Sequence, residues 1–138
     1  AKRTCWGAKG PGSFLGNRRL RVSTRKGMEI ALLASNAPSK GRGDVDVYKR
    51  DVDRVFTSVS SVRANGSAAL DLAYIAAGRL DGFWSREISP WDVAAGLLLI
   101  REAGGRISEV NGGKDPLYGR SILATNSALY QDIHDLLN

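Results

Sequence analysis

Asp92 is the side chain in this 138-residue sequence whose type and setting are best suited to chemistry, and it stands in Ser89-Pro90-Trp91-Asp92 at the head of a long apolar run. Serine is a good helix N-cap, proline suits the first helical position, and a carboxylate at the third can bond back to the cap. One of its oxygens can cap while the other reaches outward to a ligand. Spacing alone leaves both roles open, with the cap the plainer account. Trp91 is expected to pin the turn. Ala94, Ala95 and Gly96 are small enough to let the helix pack closely on a neighbour and so fix the direction of Asp92. A carboxylate held rigidly at a helix start, just after a strand end, is where a sheet protein tends to place ligand groups.

Other reactive residue types are less well placed. The pairs Asp44/Asp46 and Asp51/Asp53 could hold a cation, but they fall where a helix cap and a solvated helix face are expected. Gly7, Gly10, Gly12 and Gly16 could suggest a phosphate-cradling loop, yet the Gly-Lys-Ser/Thr ending of such loops is absent. Short strands joined by tight turns fit better, with Gly16-Asn17 as a hairpin tip. Cys5 has no histidine near it in sequence to activate it and reads as a small buried or edge residue. His134, the single histidine, is expected on the surface of the last helix.

The elements that must position Asp92 follow from periodicity. Met28 to Ala34 reads as a buried strand and 35–43 as a polar loop; apolar residues at helical spacing then begin after Asp44, which is placed as a cap. Ser58 to Ala64 is expected as a strand. Gly66 to Ala77 is expected as a helix apolar enough to be covered nearly all round, with Gly78 as its stop. A strand at Leu80 to Trp84 leads into the Asp92 helix. Strands at Arg106 to Val110 and Ser121 to Thr125, and a last helix from about Ser127 capped by Asn126, complete the chain. This alternation predicts an α/β fold, a layered mixed sheet with covering helices, in a single domain over 1–138.

Composition narrows the class. A hydrophobic fraction of 43% and a charged fraction of 25% are those of a globular protein, and a chain of this size can bury roughly two thirds of its unfolded surface. The longest uninterrupted apolar or glycine run, Val93 to Ile100, falls short of the roughly 20 residues of a membrane helix, so no membrane role is expected. A lone cysteine and the lack of a signal-like apolar core near residue 1 fit a reducing cytoplasm. The net charge of +6 is uneven. Eight basic residues precede the first acid, Glu29, and from Glu29 onward 12 basic residues face 14 acidic ones. Lys2, Arg3, Lys9, Arg18, Arg19 and Arg21 could therefore form a basic binding module for RNA or an acidic protein partner.

The run Trp91-Asp92-Val93-Ala94-Ala95-Gly96, continued by Leu99 to Gly105, resembles the carboxy-terminal signature of the inositol monophosphatase family. The segment GSAALDLAYIAAGRLDGFW from Gly66 to Trp84 is similar to what precedes that signature. LRVS at Leu20 to Ser23 and ILATN at Ile122 to Asn126 follow the same order.

The resemblance implies the carboxy-terminal half of the inositol monophosphatase or sugar phosphatase fold. It implies a Mg²⁺-dependent hydrolase of a phosphate monoester of inositol or a related polyol or sugar, in which Asp92 is a metal ligand. Gly66, Ser67 and Ala68 would face the substrate with backbone groups, as unpaired helix-start N–H groups allow. A family glutamate that contacts a ring hydroxyl is matched by Ser85, with Glu87 two places on, so inositol specificity is open. A homodimer is the family habit, and bacterial members are associated with transcription. The family's upstream Glu-Glu segment and Asp-Pro-x-Asp-Gly-Thr/Ser motif are not found in these 138 residues, so the implied partner is the amino-terminal half of the same fold and the chain alone is expected to be inactive. Asp115-Pro116-Leu117-Tyr118-Gly119-Arg120 imitates the second motif but has Tyr118 and Arg120 at its key positions and reads as a turn.

Overall fold

A computed structural model describes residues 5–10, 12–38 and 43–138. Three antiparallel strands open it, β1 (Cys5–Ala8), β2 (Gly12–Leu15) and β3 (Arg18–Arg19). Leu15 pairs with Arg18 across the expected two-residue tip, where Gly16 adopts a φ of 59° that a side chain would resist.

The remaining strands form one mixed sheet. They are β4 (Leu32–Ser35), β5 (Ser61–Arg63), β6 (Gly82–Ser85), β7 (Arg106–Ser108) and β8 (Ile122–Thr125), in the order β5-β4-β6-β8-β7. β4 runs parallel to both β5 and β6, while β8 is antiparallel to β6 and β7. The helices are α1 (Val45–Phe56), α2 (Ala68–Ala76), α3 (Pro90–Glu102) and α4 (Tyr130–Leu137). Successive strand residues point to opposite faces, and the two cores divide accordingly. Phe83, Ile122 and Ala124 pack with Leu72, Val93 and Ile100 of α2 and α3, whereas Trp84 and Leu123 pack with Val55, Leu129 and Ile133 on the side of α1 and α4. All four residues of β6 and of β8 are buried, as central strands covered on both faces must be. The expected α/β layering is what forms.

Close packing of α3 on α2 depends on Gly96. A Cβ there would lie 2.5 Å from Leu72 Cδ1, so any side chain would force the helices apart. Buried Asp81 fastens the segment before the sheet. Its carboxylate accepts from Leu32 N–H and Arg25 Nη1, each at 2.8 Å, and from the Ser23 hydroxyl. Among the described residues no helix is long and apolar enough to cross a membrane.

Several local expectations are corrected. Met28–Ile30 is a short 3-10 helix and the strand begins only at Leu32. The strand expected from Ser58 starts at Ser61, because Ser58 and Val59 N–H still bond the Val55 carbonyl at the end of α1. α2 is not covered all round, since Ala69 and Leu70 are exposed. α4 begins at Tyr130; Asn126 Oδ1 accepts from Leu129 N–H at 3.0 Å and so caps the turn that leads into it. Ser89 occupies the N-cap position of α3 but makes no side-chain cap bond. Trp91 is 81% exposed and pins nothing. Ala94 and Ala95 are likewise exposed, leaving Gly96 as the one of these three small residues that meets α2. Asp51, expected on a solvated face, is fully buried.

Candidate functional site

The parallel strands β5, β4 and β6 finish at one edge of the sheet, and the crevice beyond such carboxyl ends is where open α/β sheets bind ligands. A cleft of about 1150 Å³ lies there. Gly66, Ser67 and Ala68 enter it from the β5–α2 turn, Ser85 and Glu87 from the β6–α3 loop, and Asp92 from the first turn of α3. The structure thus brings all six candidate residues, up to 26 positions apart in sequence, to one cavity. Asp44 and Asp51 of the α1 region, Asn36, Tyr118 and Arg120 line it too.

Three helices, α1, α2 and α3, present their N-terminal turns to this cleft. Unpaired N–H groups and the positive end of the macrodipole favour an anion at such ends. At α1 the need is met internally, because the Asp44 carboxylate accepts from Asp46 and Val47 N–H at 2.9 and 3.1 Å. At α2 the Ser67 hydroxyl takes Leu70 N–H at 3.2 Å. First-turn N–H groups of Ala68 and Ala69 are the ones a helix leaves without internal partners. Gly66, with a φ of 80°, makes the turn that aims them.

The β6–α3 loop is held by charge. Arg86 Nε and Nη2 donate to Asp51 at 2.5 and 3.0 Å, and Nη2 also donates to the Leu137 carbonyl at 2.8 Å. Asp51's side chain is 1% exposed and Arg86's 32%, so the pair is a two-pronged, largely desolvated clamp between α1, the loop and the end of α4. The neighbouring Ser85 hydroxyl is turned inward and donates to the Glu87 carbonyl at 3.1 Å. Ile88 N–H donates to the Arg120 carbonyl at 2.9 Å, and Arg120 is the one described non-glycine residue with positive φ, 64°. The 115–120 segment is the turn expected of it: Tyr118 N–H bonds Asp115 Oδ1 and Gly119 N–H bonds the Asp115 carbonyl.

Asp71 lies beneath the α2 turn. Burial raises its pKa from 3.8, partly opposed by the Asn65 amide that donates to Oδ1 at 2.7 Å, while Oδ2 has no partner among the described residues. A raised acid pKa means that the folded state binds the proton more tightly, so stability is fully present below the ordinary carboxylate range and is lost as pH rises through the shifted value. Asp71→Asn is therefore expected to gain on the parent protein as pH rises from about 4 to 7, read as the difference in melting temperature. A difference independent of pH would contradict this.

A magnesium ion requires several oxygen donors in near-octahedral array. Among the described residues no three acidic, cysteine or histidine side chains group to hold an ion. Asp51 is engaged by Arg86 and Asp44 by α1, which leaves Glu87 and Asp92 as the exposed, unengaged carboxylates among the described residues of the cleft. These residues alone do not make a magnesium site.

A model of the inositol monophosphatase family matches residues 1–138. The chain belongs to the inositol monophosphatase family. It is 45% identical over 129 residues to an inositol-1-monophosphatase of Rhizobium meliloti, covering 94% of this chain and 48% of the relative. It is 43% identical over 118 residues to the Nus factor SuhB of Salmonella typhimurium, covering 86% and 44%. The solved inositol monophosphatase of Anabaena superimposes with a TM-score of 0.92 at 34% identity, covering 99% of this chain and 55% of that one. The chain spans about half the length of the relatives it matches.

Two features of this family member's cleft escaped the reading of its sequence. The Asp51–Arg86 clamp had a visible signal: Asp51 falls between Tyr48 and Val55 at helical spacing, on the face where apolar residues recur, and a charge there needs a buried partner. Asn36, at the end of β4, carried no signal at all.

Proposed function

We propose that this chain forms part of a Mg²⁺-dependent hydrolase acting on a phosphate monoester of inositol or of a related polyol or sugar. The convergence of Gly66, Ser67, Ala68, Ser85, Glu87 and Asp92 on one cleft supports it most directly. In this reading the α2 N-terminus receives the phosphate, and the β6–α3 loop borders the alcohol half of the ester. Asp92 contributes one metal donor; the other carboxylates come from outside these 138 residues, in the amino-terminal half of the same fold. A cytoplasmic homodimer, and inactivity of the 138-residue chain by itself, belong to the same proposal. The test is phosphate release by the full-length protein from myo-inositol 1-phosphate, sugar phosphates and phenyl phosphate, with Mg²⁺ and after chelation. Mg²⁺-dependent release is expected. Release from no ester, or release untouched by chelation, would remove the proposal.

The exposed basic hairpin favours a second reading, a binding surface for RNA or a transcription-related protein. Lys9, Arg18, Arg19 and Arg21 are all exposed around β2 and β3, and relatives named Nus factor SuhB share 43% identity with this chain. Lys2 and Arg3, also candidates for this surface, lie outside the described residues. If the four exposed cations each meet a phosphate of single-stranded RNA, the logarithm of affinity should fall against that of salt with a slope of about −3. Binding that is weak and flat across salt would exclude RNA as the partner.

A further inference from the structure

At the end of β4 the Ser35 hydroxyl donates to the Trp84 carbonyl at 2.7 Å and locks the strand to β6. Asn36 follows it and lines the cleft. Because β4 lies between β5 and β6 in the sheet, Asn36 sits between the loops that carry Gly66 to Ala68 on one side and Ser85 to Glu87 on the other. Its Oδ1 is shielded from solvent and has no hydrogen-bond partner among the described residues. Buried acceptors are nearly always satisfied, and a native exception calls for a missing donor.

The other buried or capping polar groups around the cleft are committed. Ser35 bonds Trp84, Ser85 bonds Glu87, Ser67 takes Leu70 N–H, Asp44 caps α1 and Asp51 holds Arg86. Asn36 therefore brings the cleft an acceptor that nothing among the described residues satisfies. A carboxamide is uncharged and can both accept and donate, which suits a ring or chain hydroxyl that does the same. A phosphate, having no proton to give as a dianion, would leave Oδ1 unsatisfied.

We propose that Asn36 is a specificity-determining residue, its Oδ1 accepting a hydrogen bond from a hydroxyl of the polyol or sugar whose phosphate ester enters the cleft. The proposal rests on the phosphatase reading above. It assigns Asn36 to the alcohol half of the substrate and leaves the phosphate to the helix N-termini.

The test uses the full-length protein with Asn36→Ala and two esters, myo-inositol 1-phosphate and phenyl phosphate, the second having no free hydroxyl on its ring. Loss of one neutral hydrogen bond to the bound hydroxyl should raise KM for the inositol ester about tenfold. For phenyl phosphate KM should stay within about twofold of the parent. The melting temperature should not fall, since Asn36 makes no side-chain bond among the described residues. Equal changes for both esters, no change for either, or a lower melting temperature would overturn the proposal. Calorimetric titration of the two esters gives a readout that does not depend on turnover. If the parent hydrolyses neither ester, the phosphatase reading fails, and the titration still decides this one. Inositol phosphate binding about tenfold weaker in the variant supports Asn36 as its contact; equal binding, or none by the parent, rejects it.

Discussion

Asp92→Asn should lower phosphate release by the full-length protein about a hundredfold or more, since even residues that only support a metal's ligands cost about 10- to 100-fold when changed. The amide keeps the shape of the carboxylate and removes its charge, the property a hard cation requires. What makes the experiment decisive is the local structure. A capping role for Asp92 would have mixed loss of folding with loss of function, but Ser89 makes no side-chain cap bond and the Asp92 carboxylate accepts no hydrogen bond among the described residues. The exposed side chain should thus be replaceable at a cost within about 0.5 kcal/mol of stability. Activity retained in a folded Asp92→Asn protein would remove Asp92 from the proposed metal site.

The second large effect concerns folding. Arg86→Ala should destabilise the protein by about 3 kcal/mol, seen as a lower urea midpoint, because the Asp51 carboxylate would lose its main partner in a place from which water is excluded. Arg50, 3.5 Å from Asp51 and largely exposed, offers only partial replacement. Asp51→Ala should cost less, since Arg86 retains some access to solvent and can rehydrate its guanidinium. Replacing both residues by apolar ones of similar volume should recover much of the loss. An Arg86→Ala protein as stable as its parent would show that the pair holds nothing together. The same variant should loosen the loop that carries Ser85 and Glu87, so folding and substrate recognition are coupled at this ion pair.

Much of this organisation is written locally. The Gly16-Asn17 tip, the Asp44 cap and the Gly78 stop depend on short-range chemistry and form where residue types place them. The layered mixed sheet follows from alternating periodicities. Boundaries were less legible: tertiary packing begins β4 only at Leu32 and α4 only at Tyr130. The size of Trp91 predicts burial, but nothing in its neighbours' spacing says which way a first-turn side chain points, and it faces water. Asp51 and Arg86 are 35 residues apart, and no local rule pairs them. Asn36 is an ordinary loop residue in sequence. Only the parallel placement of β4 between β5 and β6 makes it a lining group of the cleft.

The contrast among the three tryptophans has a practical consequence. Trp84, at the inner wall of the cleft, is 1% exposed, Trp6 is 46% exposed and stacked on Phe14, and Trp91 is in water one residue before Asp92. Their indoles should differ in emission wavelength and in access to a soluble quencher. Iodide would reach Trp91 first, and an occupant of the cleft should shield it, whereas buried Trp84 stays out of iodide's reach with or without the occupant. The protein therefore carries an intrinsic optical reporter of ligand occupancy beside the carboxylate under study, and a separate one of unfolding in its core.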